Sequence, residues 1–167
     1  ALFITVMLSA CQTVDHSTTF TDLSDEDLQT VADSLAQKFI IVDGHVDLPY
    51  RLGVKNFRLE REYLAIPVSS DEGDFDYMRA KKGGLDAPFM SVYIPASNQQ
   101  KSDRGKALAD TLINMVRSIA AAHPDKFALA NKPDEIIENT AQGKISLAMG
   151  MENGAPVGDD LSNVQYF

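Results

Sequence analysis

The sequence predicts an α/β protein built on a parallel sheet, and three observations carry that expectation. Apolar runs at Ile40-Ile41-Val42, Phe89-Met90-Ser91-Val92-Tyr93-Ile94 and Ile145-Ser146-Leu147-Ala148-Met149 end at turn or break signals. They lack the in-out alternation of a half-solvated strand, as strands covered on both faces do. Amphipathic helical stretches separate them, and such alternation gives a parallel sheet with right-handed crossovers. The expected order is strand–helix–strand–helix–helix–strand–helix.

Residues 1–10 are almost wholly apolar and run directly into Cys11, the single cysteine. The stretch is too short to span a bilayer and reads as the core of a secretory signal. The chain starts without Met or a basic segment, so a truncated leader is expected. Polar Gln12 to Thr19 reads as a tether, which argues against the alternative of a buried N-terminal strand with a core cysteine. Leu8-Ser9-Ala10-Cys11 resembles the lipobox of bacterial lipoproteins. That resemblance implies a lipidated Cys11 and a membrane anchor. The organisation expected is a leader over 1–11, a tether over 12–22 and one α/β unit over 23–167.

Ser24 caps a helix running to about Lys38, with Asp27 three residues on and acids in its first turn. Leu28, Val31, Leu35 and Phe39 form its apolar stripe, expected to pack. A buried strand over 39–43 follows and leads through Asp43-Gly44 to His45-Val46-Asp47. Residues 48–87 are punctuated by Pro49, Gly53, Pro67, Gly73, Gly83 and Gly84 and read as a βα segment with a long irregular insertion. Within it, 74–79 forms a helical turn, and Arg51, Arg58, Arg61, Lys81 and Lys82 read as solvated charge. The second strand, 89–95, stops at Pro95. After a polar loop comes a helix over 106–122, with Leu108, Leu112, Met115, Val116 and Ile119 on its buried stripe. His123 before Pro124 reads as a loop residue and not as a ligand. Pro133 opens a helix to Ala141, and the third strand, within 144–154, carries Glu152 at its carboxyl end. Leu161 to Phe167 begins a further helix.

The chemistry concentrates at strand ends. His45 and Asp47 are two residues apart, so extended chain points both to one side. An imidazole nitrogen beside a carboxylate suits a borderline divalent cation such as zinc, although the same two residues also make an ordinary hydrogen-bonded pair. Glu152 holds the corresponding position on another strand; before Asn153-Gly154 it is also a plausible turn residue. A carboxylate from a second strand could bridge two cations about 3.5–4 Å apart, which sharpen a shared hydroxide.

Other functional classes find no support. The net charge is −9 and the pI about 4.7, so nucleic acid is not an expected partner. One cysteine makes neither a disulfide framework nor a cysteine-rich zinc site. Phosphate-binding GxGxxG and P-loop motifs, the GxSxG elbow and internal repeats are missing.

Ile41-Val42-Asp43-Gly44-His45-Val46-Asp47-Leu48-Pro49 resembles the opening motif of the membrane dipeptidase (renal dipeptidase) family. Four further stretches match that family in order: Gly83-Gly84 with Phe89 to Pro95; His123-Pro124-Asp125-Lys126-Phe127; Gly143 to Leu147; and Met149-Gly150-Met151-Glu152-Asn153-Gly154. The resemblance covers residues 39–167. It implies an α/β fold of the parallel (β/α)8 TIM-type barrel kind, of which this chain supplies the N-terminal portion. It also implies a centre of two zinc ions, with His45 and Asp47 on one ion and Glu152, the catalytic carboxylate, bridging both. Two departures qualify it. The family usually has Glu-Gly-Gly where this chain has Glu152-Asn153-Gly154. The second ion's two histidines, a substrate-binding arginine and an acid/base aspartate belong to the later half of the family's barrel. A full barrel needs about 250 residues, and neither His16 nor His123 can stand in for those ligands. The chain is therefore expected to be part of a longer protein and inactive alone.

The expected function of the intact protein is hydrolysis of dipeptides by zinc-bound hydroxide, at a bacterial cell envelope, lipid-anchored on the periplasmic side. A homodimer is left open. Two alternatives stand beside it: a related amidohydrolase acting on an N-acyl amino acid, a lactone or another small amide, and a non-enzymatic lipoprotein module.

Overall fold

The computed structural model describes residues 20–54, 68–71, 73–99 and 102–167. The expectations for the leader, Cys11, His16 and most of the tether lie outside these residues, as do Arg58, Arg61 and Pro67 of the insertion. Among the described residues, a 3-10 turn at Phe20–Asp22 precedes α1 (Asp25–Lys38), β1 (Ile41–Val46), α2 (Leu48–Val54), α3 (Tyr77–Gly83) and β2 (Leu85–Val92). Then follow a single turn, α4 (Ala96–Gln99), the long α5 (Ser102–Ala122), β3 (Phe127–Leu129), α6 (Pro133–Ala141), β4 (Ile145–Met151) and the short α7 (Ser162–Tyr166).

The sheet is wholly parallel, in the order β1-β2-β4-β3. β2 pairs with the carboxyl half of β4, from Phe89 opposite Ala148 to Val92 opposite Met151. β3 pairs with its amino half, from Phe127 opposite Ile145 to Leu129 opposite Leu147. The stagger leaves the carboxyl ends of β1, β2 and β4 beside one another.

The core forms where α5 lies on the sheet. Leu112, Met115, Val116 and Ile119 are buried with Met90, Val92, Ile94, Ile145 and Leu147. The α5 stripe read from the sequence is thus the buried stripe, with Leu108 partly buried at its margin. Helix starts also follow local chemistry. Ser24 Oγ accepts from Asp27 N at 3.2 Å, and Pro133 occupies the first turn of α6. Gly84 ends α3 at φ +80°, and a Cβ there would lie 2.4 Å from the carbonyl oxygen of Ala36. Only glycine allows that close approach of α1 to the start of β2.

Five expectations need correction or refinement. First, β3 was not anticipated; three residues are too few to show a period, and the strand exists because Phe127 is buried in the core and Ile145 N donates to Lys126 O. Second, the βα segment gains definite bounds: α2 follows Asp47 directly, with Leu48 and Leu52 buried despite Pro49 and Gly53, and the helical turn expected over 74–79 is α3, at Tyr77–Gly83. Third, β2 begins at Leu85 and α5 at Ser102, each four residues ahead of the expected start. Fourth, Asp43-Gly44 is no turn but lies within β1, where the pairing with β2 shifts register. Fifth, β1 is not buried. Ile41 and Val42 are 36% and 51% exposed, because among the described residues β1 is the margin of the sheet and pairs only with β2. α1 likewise buries no residue, and its stripe residues Leu28 and Leu35 are exposed.

Candidate metal centre

His45 is delivered by an irregularity in β1. Between Asp43 and Val46 the ladder with β2 slips, and Asp43 Oδ1 accepts a hydrogen bond from His45 N at 2.9 Å. The local bulge re-aims the imidazole, as bulges beside functional sites do. Asp47 follows the strand and precedes α2; its carbonyl accepts from Arg51 N at 2.9 Å, so the first turn of α2 holds its backbone. Glu152 directly follows β4, and its N donates to Val92 O at 3.3 Å, continuing the ladder by one residue.

These elements bring together the three residues singled out from the sequence. His45 Nε2 lies 3.2 Å from Asp47 Oδ1 and 3.6 Å from Glu152 Oε2. One donor atom from each residue falls within 4.8 Å of the others. The side chains are partly open to solvent, at 51%, 55% and 38% exposure. Donors about 2.0–2.2 Å from a tetrahedral zinc are separated from one another by about 3.3 Å. The two His45 distances match that spacing, so the residues present fit a divalent cation. One nitrogen and two carboxylate oxygens suit a borderline ion, and three protein donors leave a fourth position for water or substrate.

The Glu152 carboxylate is braced. Ser91, on β2, donates its hydroxyl to Glu152 Oε2 at 3.0 Å. The next residue, Asn153, donates Nδ2 to Ile94 O at 3.2 Å and accepts at Oδ1 from Ala155 N at 3.1 Å. Tyr50 on α2 and Tyr93 after β2 meet edge to face with centroids 4.9 Å apart, giving the strand ends an aromatic margin. A cavity of about 140 Å³ opens beside Asp47, lined by Val46, Leu48, Arg51, Asp74 and Phe75.

His123 stays away from this cluster; it follows α5 and packs edge-on against Phe127 at 6.4 Å. Ser91, Asp43 and Asn153 were not singled out from the sequence as site residues. Ser91 carried a signal, a hydroxyl inside an apolar strand, since a buried polar group needs a partner. Asn153 was visible only as a departure from a glycine.

Residues 29–167 match the family model described as membrane dipeptidase, peptidase family M19. The chain is 28% identical to dipeptidase ataJ of Aspergillus terreus over 140 residues, which is 79% of this chain and 33% of that protein. It is 28% identical to dipeptidase 3 of Rattus norvegicus over 144 residues, 86% of this chain and 28% of that protein. The chain thus spans about a third of the length of these curated relatives. Among solved structures, the probable dipeptidase PvdM from Pseudomonas aeruginosa superposes with a TM-score of 0.70 at 17% identity, covering 86% of this chain and 35% of that one. A metallo peptidase from Rhodobacter sphaeroides, liganded with a phosphinate mimic of the dipeptide L-Ala-D-Ala, gives 0.66 at 20% identity, covering 77% and 42%. At these identities the likeness concerns the fold, and the parallel sheet with its crossover helices corresponds to part of a TIM-type barrel.

Proposed function

The chain belongs to the membrane dipeptidase family, and from that premise we propose that the intact protein hydrolyses dipeptides at a zinc centre to which His45, Asp47 and Glu152 contribute. The observation that carries the proposal is the convergence of three donors from two strand ends within 4.8 Å of one another, with Asp47 and Glu152 3.2 and 3.6 Å from the His45 imidazole. His45 and Asp47 would hold one ion, and Glu152 would supply a carboxylate to it and to a second. When bound, such ions lower the pKa of water and polarise a scissile carbonyl. The chain's own part is positional. The β1 bulge aims His45, the first turn of α2 fixes Asp47, and the β2–β4 ladder sets the height of Glu152. The dipeptide class rests on the names of the relatives and on the phosphinate mimic held by the Rhodobacter sphaeroides protein. For location, the Leu8-Ser9-Ala10-Cys11 sequence supports attachment to a bacterial envelope through a lipid on Cys11.

The test uses the intact protein, with zinc content by elemental analysis and turnover on a dipeptide panel beside an N-acyl amino acid panel. Zinc co-purifies and dipeptides are cleaved. His45→Ala loses zinc, and Glu152→Gln loses both the cooperation between metals and turnover. Full metal content and rate in either variant would refute the site assignment. Cleavage confined to N-acyl amino acids would move the substrate class, and zinc near zero in folded protein would favour a non-enzymatic module.

A further inference from the structure

Ser91 lies on β2 between Met90 and Val92, both core residues, and is 3% exposed. A hydroxyl buried without a partner is destabilising. This one is satisfied across the sheet by a residue of the candidate metal centre: Ser91 Oγ donates to Glu152 Oε2 at 3.0 Å. The acceptor is the oxygen that lies 3.6 Å from His45 Nε2. One hydroxyl therefore holds the carboxylate oxygen that faces the imidazole. The backbone makes the arrangement definite, because Ser91 pairs with Gly150 in the ladder and Val92 O receives Glu152 N. The other buried serine of the sheet, Ser146, contrasts with it. Asn139 Nδ2 donates to its hydroxyl at 3.1 Å, near the amino end of β4 and away from the carboxyl ends that carry the site. Glu152 has several rotatable bonds and a side chain 38% exposed. Without a fixed donor its carboxylate samples many orientations.

We propose that Ser91 is a positioning residue, whose hydroxyl sets the orientation of Glu152 Oε2 toward His45 and so presets the donor geometry for a divalent cation. This rests on reading His45, Asp47 and Glu152 as a metal centre. Partners of metal-ligating carboxylates typically affect metal affinity by about 10–100-fold when removed.

The experiment is a zinc titration of the intact protein against a chelating indicator, with the thermal midpoint of the zinc-free protein measured in parallel. Ser91→Ala is expected to weaken zinc binding about 10–100-fold, and Ser91→Thr, which keeps the hydroxyl, to restore most of it. A packing role alone would instead lower the zinc-free midpoint and leave affinity unchanged. A second measurement does not depend on the threonine variant folding. In a Glu152→Asp background, which keeps a carboxylate ligand but shortens it away from Ser91, Ser91→Ala should cost far less affinity than in wild type, because the coupled contact is gone. Wild-type affinity in Ser91→Ala, or the same loss in both backgrounds, overturns the proposal while leaving the metal centre in place. If the wild-type protein binds no zinc, or His45→Ala binds as tightly as wild type, the reading of the centre falls and this inference with it.

Discussion

Replacing Asn153 by Ala removes two hydrogen bonds: Nδ2 to Ile94 O at 3.2 Å, which ties the segment after Glu152 to the chain just past β2, and Ala155 N to Oδ1 at 3.1 Å, which closes the turn on itself. Both are partly buried, neutral bonds. Each contributes about 1 kcal/mol net, so the pair contributes about 1–2 kcal/mol. The loss falls on local opening of residues 153–155 and leaves global unfolding largely untouched, because the core on α5 does not include Asn153. At about 1.4 kcal/mol per factor of ten, the Ala155 amide should exchange with solvent roughly 5–30-fold faster. Hydrogen exchange of the intact protein, read at single amides, checks this. The Ile145 amide, bonded to Lys126 O at the far end of β4, serves as the internal control and should not change. Acceleration of Ala155 by less than about twofold, or equal acceleration at Ile145, would refute the idea that Asn153 locally pins the turn that follows Glu152.

Three other outcomes follow from the packing and electrostatics. Leu112→Ala empties a site 2% exposed beneath α5 and should lower stability by about 2–5 kcal/mol, whereas Leu161→Ala, at a position 77% exposed, should stay within about 0.5 kcal/mol; equal shifts in denaturant midpoint would contradict the placement of the core. Gly84→Ala combines φ +80° with a Cβ 2.4 Å from Ala36 O and should cost about 1–3 kcal/mol, read in the same titration; a neutral result would mean that α1 does not sit against the start of β2. Asp76 caps α3 from a buried position, where burial would raise its pKa, but hydrogen bonds from the Arg79 backbone and guanidinium outweigh it and hold the carboxyl below the usual range. A depressed carboxylate stabilises fully above the ordinary value near pH ~4 and loses that contribution as pH falls through its lowered one. The stability gap between wild type and Asp76→Asn should therefore close below about pH 4; a gap that stays constant under acid would be evidence against an ionised cap.

By itself the sequence determined what is local. The period of 3.6 marked α1 and the buried stripe of α5, Ser24 and Pro133 marked helix starts, and the spacing of His45 and Asp47 put both on one side of extended chain. These features depend on neighbours a few residues away, and so they are written in order along the chain. The tertiary structure decided what depends on distance across the sheet. Burial of Phe127 made β3 from three residues, and burial of Leu48 and Leu52 made α2 from a stretch rich in breakers. β1 is a buried-type strand by composition yet exposed, because exposure depends on which elements cover a strand and not on its own residues. Glu152 meets His45 over more than a hundred residues of chain only because parallel pairing aligns strand ends, and Ser91 meets Glu152 only through the register of β2 with β4. Register is a cooperative result of packing the whole sheet against α5, and no short window of sequence contains it.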